Sequence, residues 1–400
     1  MRVAFIFLRK EKIPFCKAGF VPDRVVSGRK RIVLGQKMEE IVYGCALART
    51  FLYRPHVANR LLEKYGSAAC VLENLDENEM EGERQMLEKA FSPQTLAWAA
   101  EEVEWCREKG VELLFYGSEK YPRLLMECPH SPNMLYYKGC ANLNTPRSIS
   151  IVGTRLASAY GKEMCRRIIG HVERYLPVVV SGLAYGIDIA AHRAALEAGL
   201  QTVAVLPNGI DSIYPNRHRD DAAAIVRQGG ILTEFPRGEF PQKMNFIKRN
   251  RIIAAISQAT VVVESRIKGG SMITAELASS YNRDIFAVPG RVTDGNSFGC
   301  NYLISKNVAA IYSTPATIPA SLGWGEDHLP DSAMQPELFS YDEGNKEKIL
   351  LSLNSLSPLQ VEQICSRTGL DWDKVSILLL ELELEGKIIV RNNTDYYLRK

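Results

Sequence analysis

The sequence predicts an α/β protein: a parallel sheet covered by helices on both faces, preceded by a helical region and followed by a compact tail of three helices and a strand pair. Three observations carry this. From residue 149 onward, short β-branched runs alternate with helical stretches, the pattern of parallel strands joined by crossover helices. Those runs are almost continuously apolar, as strands buried on both faces are. Before them, apolar residues recur at helical spacing and no strand pattern intervenes.

Taken in order, residues 1–37 carry a net charge of +8 and show no periodicity beyond an apolar run at 3–8. A new pattern opens at Met38. Residues 1–37 are therefore a basic extension or precede the true start at Met38, and the second reading is favoured. Residues 38–115 are expected to be all-helical, with helices over 41–52, 57–65, 86–90 and 96–106, and with Gly66 and Gly110 where helix ends fall. The stretch 55–75 has the outline of a helix-hairpin-helix. Only Gly66 is available for its turn and acidic residues crowd 73–83, so it packs more than it binds. Residues 116–313 hold the sheet, with strands at 148–152, 178–181, 202–206, 231–234, 260–264, 285–288 and 309–312. Residues 314–345 are expected to be a linker, with Pro315, Pro319, Pro330 and Pro336. Residues 346–400 give three helices and a hairpin turning at Asn392-Asn393, the order of a winged helix.

The whole chain is 400 residues, 46% hydrophobic and 24% charged. These values exclude a disordered, collagenous or disulfide-dense chain. No apolar run approaches the roughly 18 residues needed to span a bilayer. Nine cysteines are scattered without a C-x-x-C pair, which signals neither zinc nor a disulfide framework and fits free thiols in a reducing cytoplasm. The net charge of +3 hides a segregation: −6 over 38–146, +7 over 147–313 and −6 over 314–400. Residues 147–313 hold 20 Lys/Arg, most of them arginine, against 13 Asp/Glu. Such a surplus suits a phosphate-bearing partner.

Ligands in open parallel sheets bind beyond the carboxyl ends of the strands. Five of those ends carry glycine: Gly153-Thr154-Arg155, Ser181-Gly182 with Gly186, Pro207-Asn208-Gly209, Lys268-Gly269-Gly270-Ser271 and Pro289-Gly290-Arg291. Glycine lets backbone N–H groups turn toward an anion. Arg155 offers a planar fork for phosphate oxygens, and Ser271 is expected to cap the helix that follows. Neither G-x-G-x-x-G nor G-x-x-x-x-G-K-[ST] is present, so a dinucleotide or ATP site of those kinds is not supported. Lys243, Phe246, Lys248, Arg249, Asn250 and Arg251 combine cations with an aromatic, a single-strand binding pattern. Arg249 and Arg251 lie about 200° apart on a helix, so one can meet phosphate while the other makes a structural ion pair. Asp188 and His192 share a helix face. With no third ligand they suggest a hydrogen bond fixing the 181–188 loop rather than a metal site. Glu264 and Glu276 could serve hydrolysis, but no nucleophile-base pair accompanies them.

These residues resemble the DNA-processing protein A family (DprA, also called Smf). The likeness runs in order through Tyr121-Pro122, Leu135-Tyr136-Tyr137-Lys138-Gly139, Ile151-Val152-Gly153-Thr154-Arg155, the 181–188 loop with His192, Ala204-Val205-Leu206, Tyr214-Pro215, Arg249-Asn250-Arg251-Ile252-Ile253, Val288-Pro289-Gly290 and Gly299-x-Asn301-x-Leu303-Ile304. It implies an extended Rossmann-like domain with an N-terminal helical (SAM/helix-hairpin-helix-like) domain and a C-terminal winged helix. It also implies a cytoplasmic homodimer that binds and protects single-stranded DNA and loads RecA onto it in natural transformation and homologous recombination, with no catalysis, cofactor, metal or membrane. By likeness, Gly153, Thr154, Arg155, Ser181, Gly182, Lys243, Phe246, Lys248, Arg249, Asn250, Arg251, Lys268, Gly269, Gly270 and Ser271 line the DNA pocket. Two features depart from the family: Asn307-Val308 replaces the usual glycine-alanine, and residues 1–37 have no counterpart. The third helix of the tail carries Asp371, Asp373, Glu381, Glu383 and Glu385 against Lys374, a face that DNA phosphates would repel. The tail is therefore expected to contact protein. The competing class is an enzyme on the same sheet that cleaves nucleoside monophosphates.

Overall fold

The computed structural model describes residues 28–74, 81–324, 343–353, 357–391 and 395–399. The chain forms two compact units, divided after Asp327. The first begins with helices α1 (Gly28–Thr50), α2 (Pro55–Tyr65), α3 (Ala68–Glu73), α4 (Glu81–Ala90) and α5 (Pro93–Lys109). Helix α1 runs straight through Met38, so the change of pattern there is not an element boundary. The expected helix ends hold: Gly66 and Gly110 both adopt left-handed φ after α2 and α5, where a Cβ would be strained. Residues 75–80, within the expected acidic stretch, lie outside the described residues, as do 1–27.

The sheet follows: β1 (Glu112–Phe115), α6 (Arg123–Met126), β2 (Met134–Gly139), β3 (Ser148–Val152), α7 (Ala159–Val172), β4 (Val178–Ser181), α8 (Ile187–Glu197), β5 (Thr202–Val205), α9 (Arg219–Gln228), β6 (Gly230–Thr233), α10 (Lys243–Ile256), β7 (Ala259–Val262), α11 (Gly270–Ser280), β8 (Asp284–Ala287), α12 (Phe298–Ser305), β9 (Ala310–Ile311) and α13 (Thr317–Ser321). Its strand order is β1-β2-β6-β5-β4-β3-β7-β8-β9. Strands β3 to β9 pair in parallel, while β1 and β2 extend the β6 edge antiparallel. The first strand thus falls inside the stretch expected to be helical.

Successive side chains of β3 go to opposite faces, and both faces are dry. Ile149 and Ile151 join Ile168, Ile169, Ala191 and Ala194 of α7 and α8. Val152 joins Ile252, Ile253, Ala275 and Leu303 of α10, α11 and α12. Residues 314–324 are not linker. Ile318 and Trp324 are buried with the α7 side of the sheet, and Trp324 Nε1 donates to Gln258 Oε1 at 2.9 Å. Asn307, at the family's glycine position, takes φ +53°, a conformation asparagine tolerates better than most residues.

The second unit contains α14 (Glu343–Ser352), α15 (Val361–Thr368), α16 (Trp372–Leu384) and a hairpin of β10 (Ile388–Arg391) with β11 (Asp395–Leu398). Ile349, Ile364, Val375, Leu379, Leu382 and Ile388 form its core. Lys346 pairs with Glu381 and Glu385, drawing two of the helix's acids into the unit. Trp372, Ile377 and Leu380 remain exposed on α16.

Candidate nucleic-acid interface

The sheet order turns at β3: β4, β5 and β6 lie on one side, while β7, β8 and β9 lie on the other. The loops leaving β3 and β7 meet at this switch point. Thr154 N donates to Glu264 O at 2.7 Å. A Cβ on Gly153 would press on that same carbonyl and on Ile187, so only glycine admits the close approach. The junction opens into a cleft of about 720 Å³ between α10 and α11.

Helix α10 lays one face along the cleft. Lys243, Phe246, Asn250 and Ile253 line it at spacings of three and four residues, with Ile247 and Arg249 flanking. Across from it stand Ser265, Arg266, Lys268, Gly269, Gly270, Ser271 and Ile273, with Gly153, Thr154, Arg155 and Leu156 at the base. Helix α11 starts at Gly270 with Gly269 as N-cap, so its unpaired N–H groups open beside Lys268. Ser271 does not cap it, contrary to expectation: it lies in the first turn and its Oγ donates to Ser265 Oγ at 2.8 Å. Arg155, Lys243, Arg266 and Lys268 are exposed. None has an acidic partner among the described residues, unlike Arg193, Arg237, Arg251 and Arg283. The Arg155 guanidinium stands 5.0 Å from the Phe246 ring centre.

Arg249 is different in kind. It is 4% exposed, and Nη1 donates to Gly182 O at 2.5 Å and Val205 O at 2.8 Å, tying the ends of β4 and β5. Burial lowers its guanidinium to about 10, against an opposing pull from Asp188, so it remains a cation at neutral pH. Asp188 is raised by burial; Arg249 and the N–H groups of Ala184 and Gly182 act against that rise. The expected hydrogen bond between Asp188 and His192 does not form. His192, its expected companion, turns instead to Thr202, Nδ1 to Oγ1 at 2.7 Å, and burial lowers it to about 3. Among the described residues no three His, Cys, Asp or Glu side chains are grouped to hold a metal ion.

Eleven of the fifteen expected residues line the cleft and four do not. Ser181 is fully buried and donates to Ile151 O. Gly182 contributes its carbonyl to Arg249, and a Cβ there would overlap the guanidinium. Lys248 points the other way, donating to Leu52 O at 3.2 Å and resting 3.5 Å from the Tyr53 ring centre. Arg251 forms a buried ion pair with Glu234. Arg266, Leu156, Ile247, Asp188 and Ala184 line the cleft without having been singled out for it. Arg266 had a signal, since it shares the loop of Lys268.

With this geometry in place, the sequence profile of "DNA recombination-mediator protein A" matches residues 112–323, and that of the "DprA winged helix domain" matches 340–390. The chain belongs to the DprA/Smf family. Protein Smf of Escherichia coli (strain K12) is 34% identical over 290 residues, which cover 71% of this chain and 76% of that one. The DNA processing protein DprA of Streptococcus pneumoniae is 40% identical over 193 residues, 48% of this chain and 68% of that one. The X-ray structure of DprA from the same organism superposes with a TM-score of 0.57 at 31% identity, covering 69% of this chain and 95% of that one. The profile begins at the first residue of β1 and ends beside Trp324. The family's domain therefore includes the antiparallel edge and residues 314–323 of the segment 314–345 expected to be linker, of which 325–342 lie outside the described residues. Among the described residues no helix is long and apolar enough to cross a membrane.

Proposed function

We propose that this member of the family binds single-stranded DNA in the cleft between α10 and α11. The observation that carries the reading is the pairing of unpartnered cations with an accessible aromatic: Arg155 beside Phe246, Lys243 on the same helix as Phe246, and Arg266 and Lys268 beside the N-terminus of α11. Backbone phosphates would meet the cations and the helix N-terminus, and one base would stack on Phe246. Arg249 acts from beneath as a buried charge that holds the β4 and β5 loops. Ser181, Gly182, Lys248 and Arg251 support the site rather than touch the strand. Bound in this way, the strand is protected and presented to RecA by a homodimer in the cytoplasm, in natural transformation and homologous recombination.

Hydrolysis is disfavoured by what the nearby carboxylates do. Glu264 accepts from Ser158 N at 2.9 Å and from Ser158 Oγ at 2.5 Å. Asp188 is buried, with the Arg249 cation acting on it. A gel shift comparing single- and double-stranded oligonucleotides tests the binding, with the same protein incubated with nucleoside monophosphates. Tight single-strand binding without turnover is expected, and turnover without binding would reverse the reading. Faster RecA filament growth on protein-bound strands tests the loading step.

A further inference from the structure

A single strand of nucleic acid has two unlike sides, charged phosphates and flat apolar bases, and a groove that tracks it benefits from the same division. The cleft offers both. Arg266, Lys268 and the N–H groups of α11 occupy one wall, and Phe246 stands on the other with Lys243 and Arg155 beside it. The aromatic side does not stop at the cleft. The Tyr214 ring meets Phe246 edge-on, 5.7 Å between centres at 71°, and is 41% exposed. Tyr185 is 45% exposed and sits edge-on against His218 at 5.0 Å and 69°. It lies between Ala184, which lines the cleft, and Gly186, whose backbone is pressed against the Thr154 and Arg155 carbonyls.

Tyr185 rests on a buried anchor and Tyr214 on the half-buried Phe246. His218 is 3% exposed and its Nδ1 is 2.8 Å from Leu183 O. His218 N also donates to Pro215 O at 3.0 Å within the segment that carries Tyr214, so the His218 contact with Leu183 O links that segment to the one that carries Tyr185. Neither phenol hydroxyl makes a hydrogen bond within the described residues, so neither ring is fixed there by its polar end. Arg217 and Arg219 follow directly and are exposed without an acidic partner among the described residues. Rigid, accessible rings next to unpaired cations suit stacked bases with phosphates alongside.

We propose that Tyr214 and Tyr185 form a second base-stacking platform that carries single-stranded nucleic acid out of the cleft past Phe246, with Arg217 meeting its backbone. This rests on the reading of the cleft as a single-strand site. The test is binding of the full-length chain to labelled oligothymidylates of about 4 to about 16 nucleotides, the span of typical single-strand sites. Tyr214→Ala is expected to weaken the longest oligonucleotide about tenfold, to leave the shortest unchanged and to keep the salt slope. Tyr214→Phe should bind like wild type, because stacking needs only the ring. A Tyr214→Trp reporter should be quenched by long but not short strands. Unchanged affinity of Tyr214→Ala at every length, or an equal loss at every length, would overturn the platform, provided that wild type binds and Phe246→Ala binds more weakly at every length. Wild-type protein that binds no oligonucleotide would instead overturn the reading of the cleft, and the platform with it. Melting temperatures of the variants confirm that each is folded.

Discussion

Arg251 is the residue that best separates binding from scaffolding, because the sequence places it in a cationic cluster and the fold places it elsewhere. Its side chain is 11% exposed and that of Glu234 is 1% exposed. Glu234 Oε2 accepts from Arg251 Nη2, and Glu234 Oε1 has no other partner. Changing Arg251 to methionine keeps most of the stem but leaves a carboxylate buried without its cation. Breaking such a pair from one side costs about 3–5 kcal/mol. With roughly 2–4 °C of melting temperature per kcal/mol for large domains, the expected drop is about 6–20 °C. Replacing both partners, Arg251→Met with Glu234→Leu, should recover much of the loss, since an apolar pair of similar volume is often as stable as a buried ion pair. The assay is thermal unfolding of the two single variants and the double variant, with salt titrations of oligonucleotide binding well below each melting point. The slope of log K against log salt should match wild type in all of them. An Arg251→Met protein that melts normally while its slope falls by about 0.7, the single-strand value for one phosphate, would refute the structural assignment and return Arg251 to the site.

Arg155→Ala should weaken binding to all sequences alike and lower the salt slope by about 0.7, whereas Phe246→Ala should lose roughly 1–3 kcal/mol of binding with the slope unchanged; parallel salt titrations distinguish them. Burial holds His192 neutral down to about 3, while the unfolded side chain protonates near its usual 6.5. The unfolded state therefore binds the extra proton between those values. Stability should fall with decreasing pH from about 6.5, by up to about 1.4 kcal/mol per unit from this residue. Urea unfolding from pH 7 to pH 5 should show a shallower dependence for His192→Gln, and parallel curves would remove His192 as the cause. Trp324→Ala should cost about 3–5 kcal/mol, the usual loss for a buried tryptophan, and a wild-type melting temperature would make 314–324 the linker that its prolines suggest.

How much of this was legible in the sequence depended on where each interaction lies along the chain. Six of the parallel strands, from Ser148–Val152 to Asp284–Ala287, were readable because burial on both faces leaves a contiguous β-branched signature. Strand β1 was not, since Glu112-Leu113-Leu114-Phe115 follows a long helix and four apolar-rich residues fit either structure. It becomes a strand by pairing with β2, which pairs in turn with β6 almost a hundred residues later. Trp324 was hidden for a similar reason. Its prolines and glycines mark turns locally, but its burial depends on Gln258 and the α7 side of the sheet.

Helix α10 shows how far local arithmetic reaches. At 100° per residue, Lys243, Asn250 and Ile253 all fall within about 60° of Phe246, and these are the residues that face the cleft. Lys248 falls about 200° from Phe246 and Arg251 about 140°, and both face away. Helical geometry that separates Arg249 from Arg251 therefore excludes Lys248 as well; grouping the three cations by charge alone lost that information. It could not predict what Arg249 does. At about 60° from Phe246 it borders the lining face, yet it is spent on the carbonyls of Gly182 and Val205, from strands that precede it by more than forty residues. Arg249 beneath the cleft and Lys243 within it both lie about 60° from Phe246, on opposite sides of it. Angular distance from the lining face does not tell them apart; what does is the approach of Arg249 to the carbonyls at the ends of β4 and β5, which α10 alone does not specify.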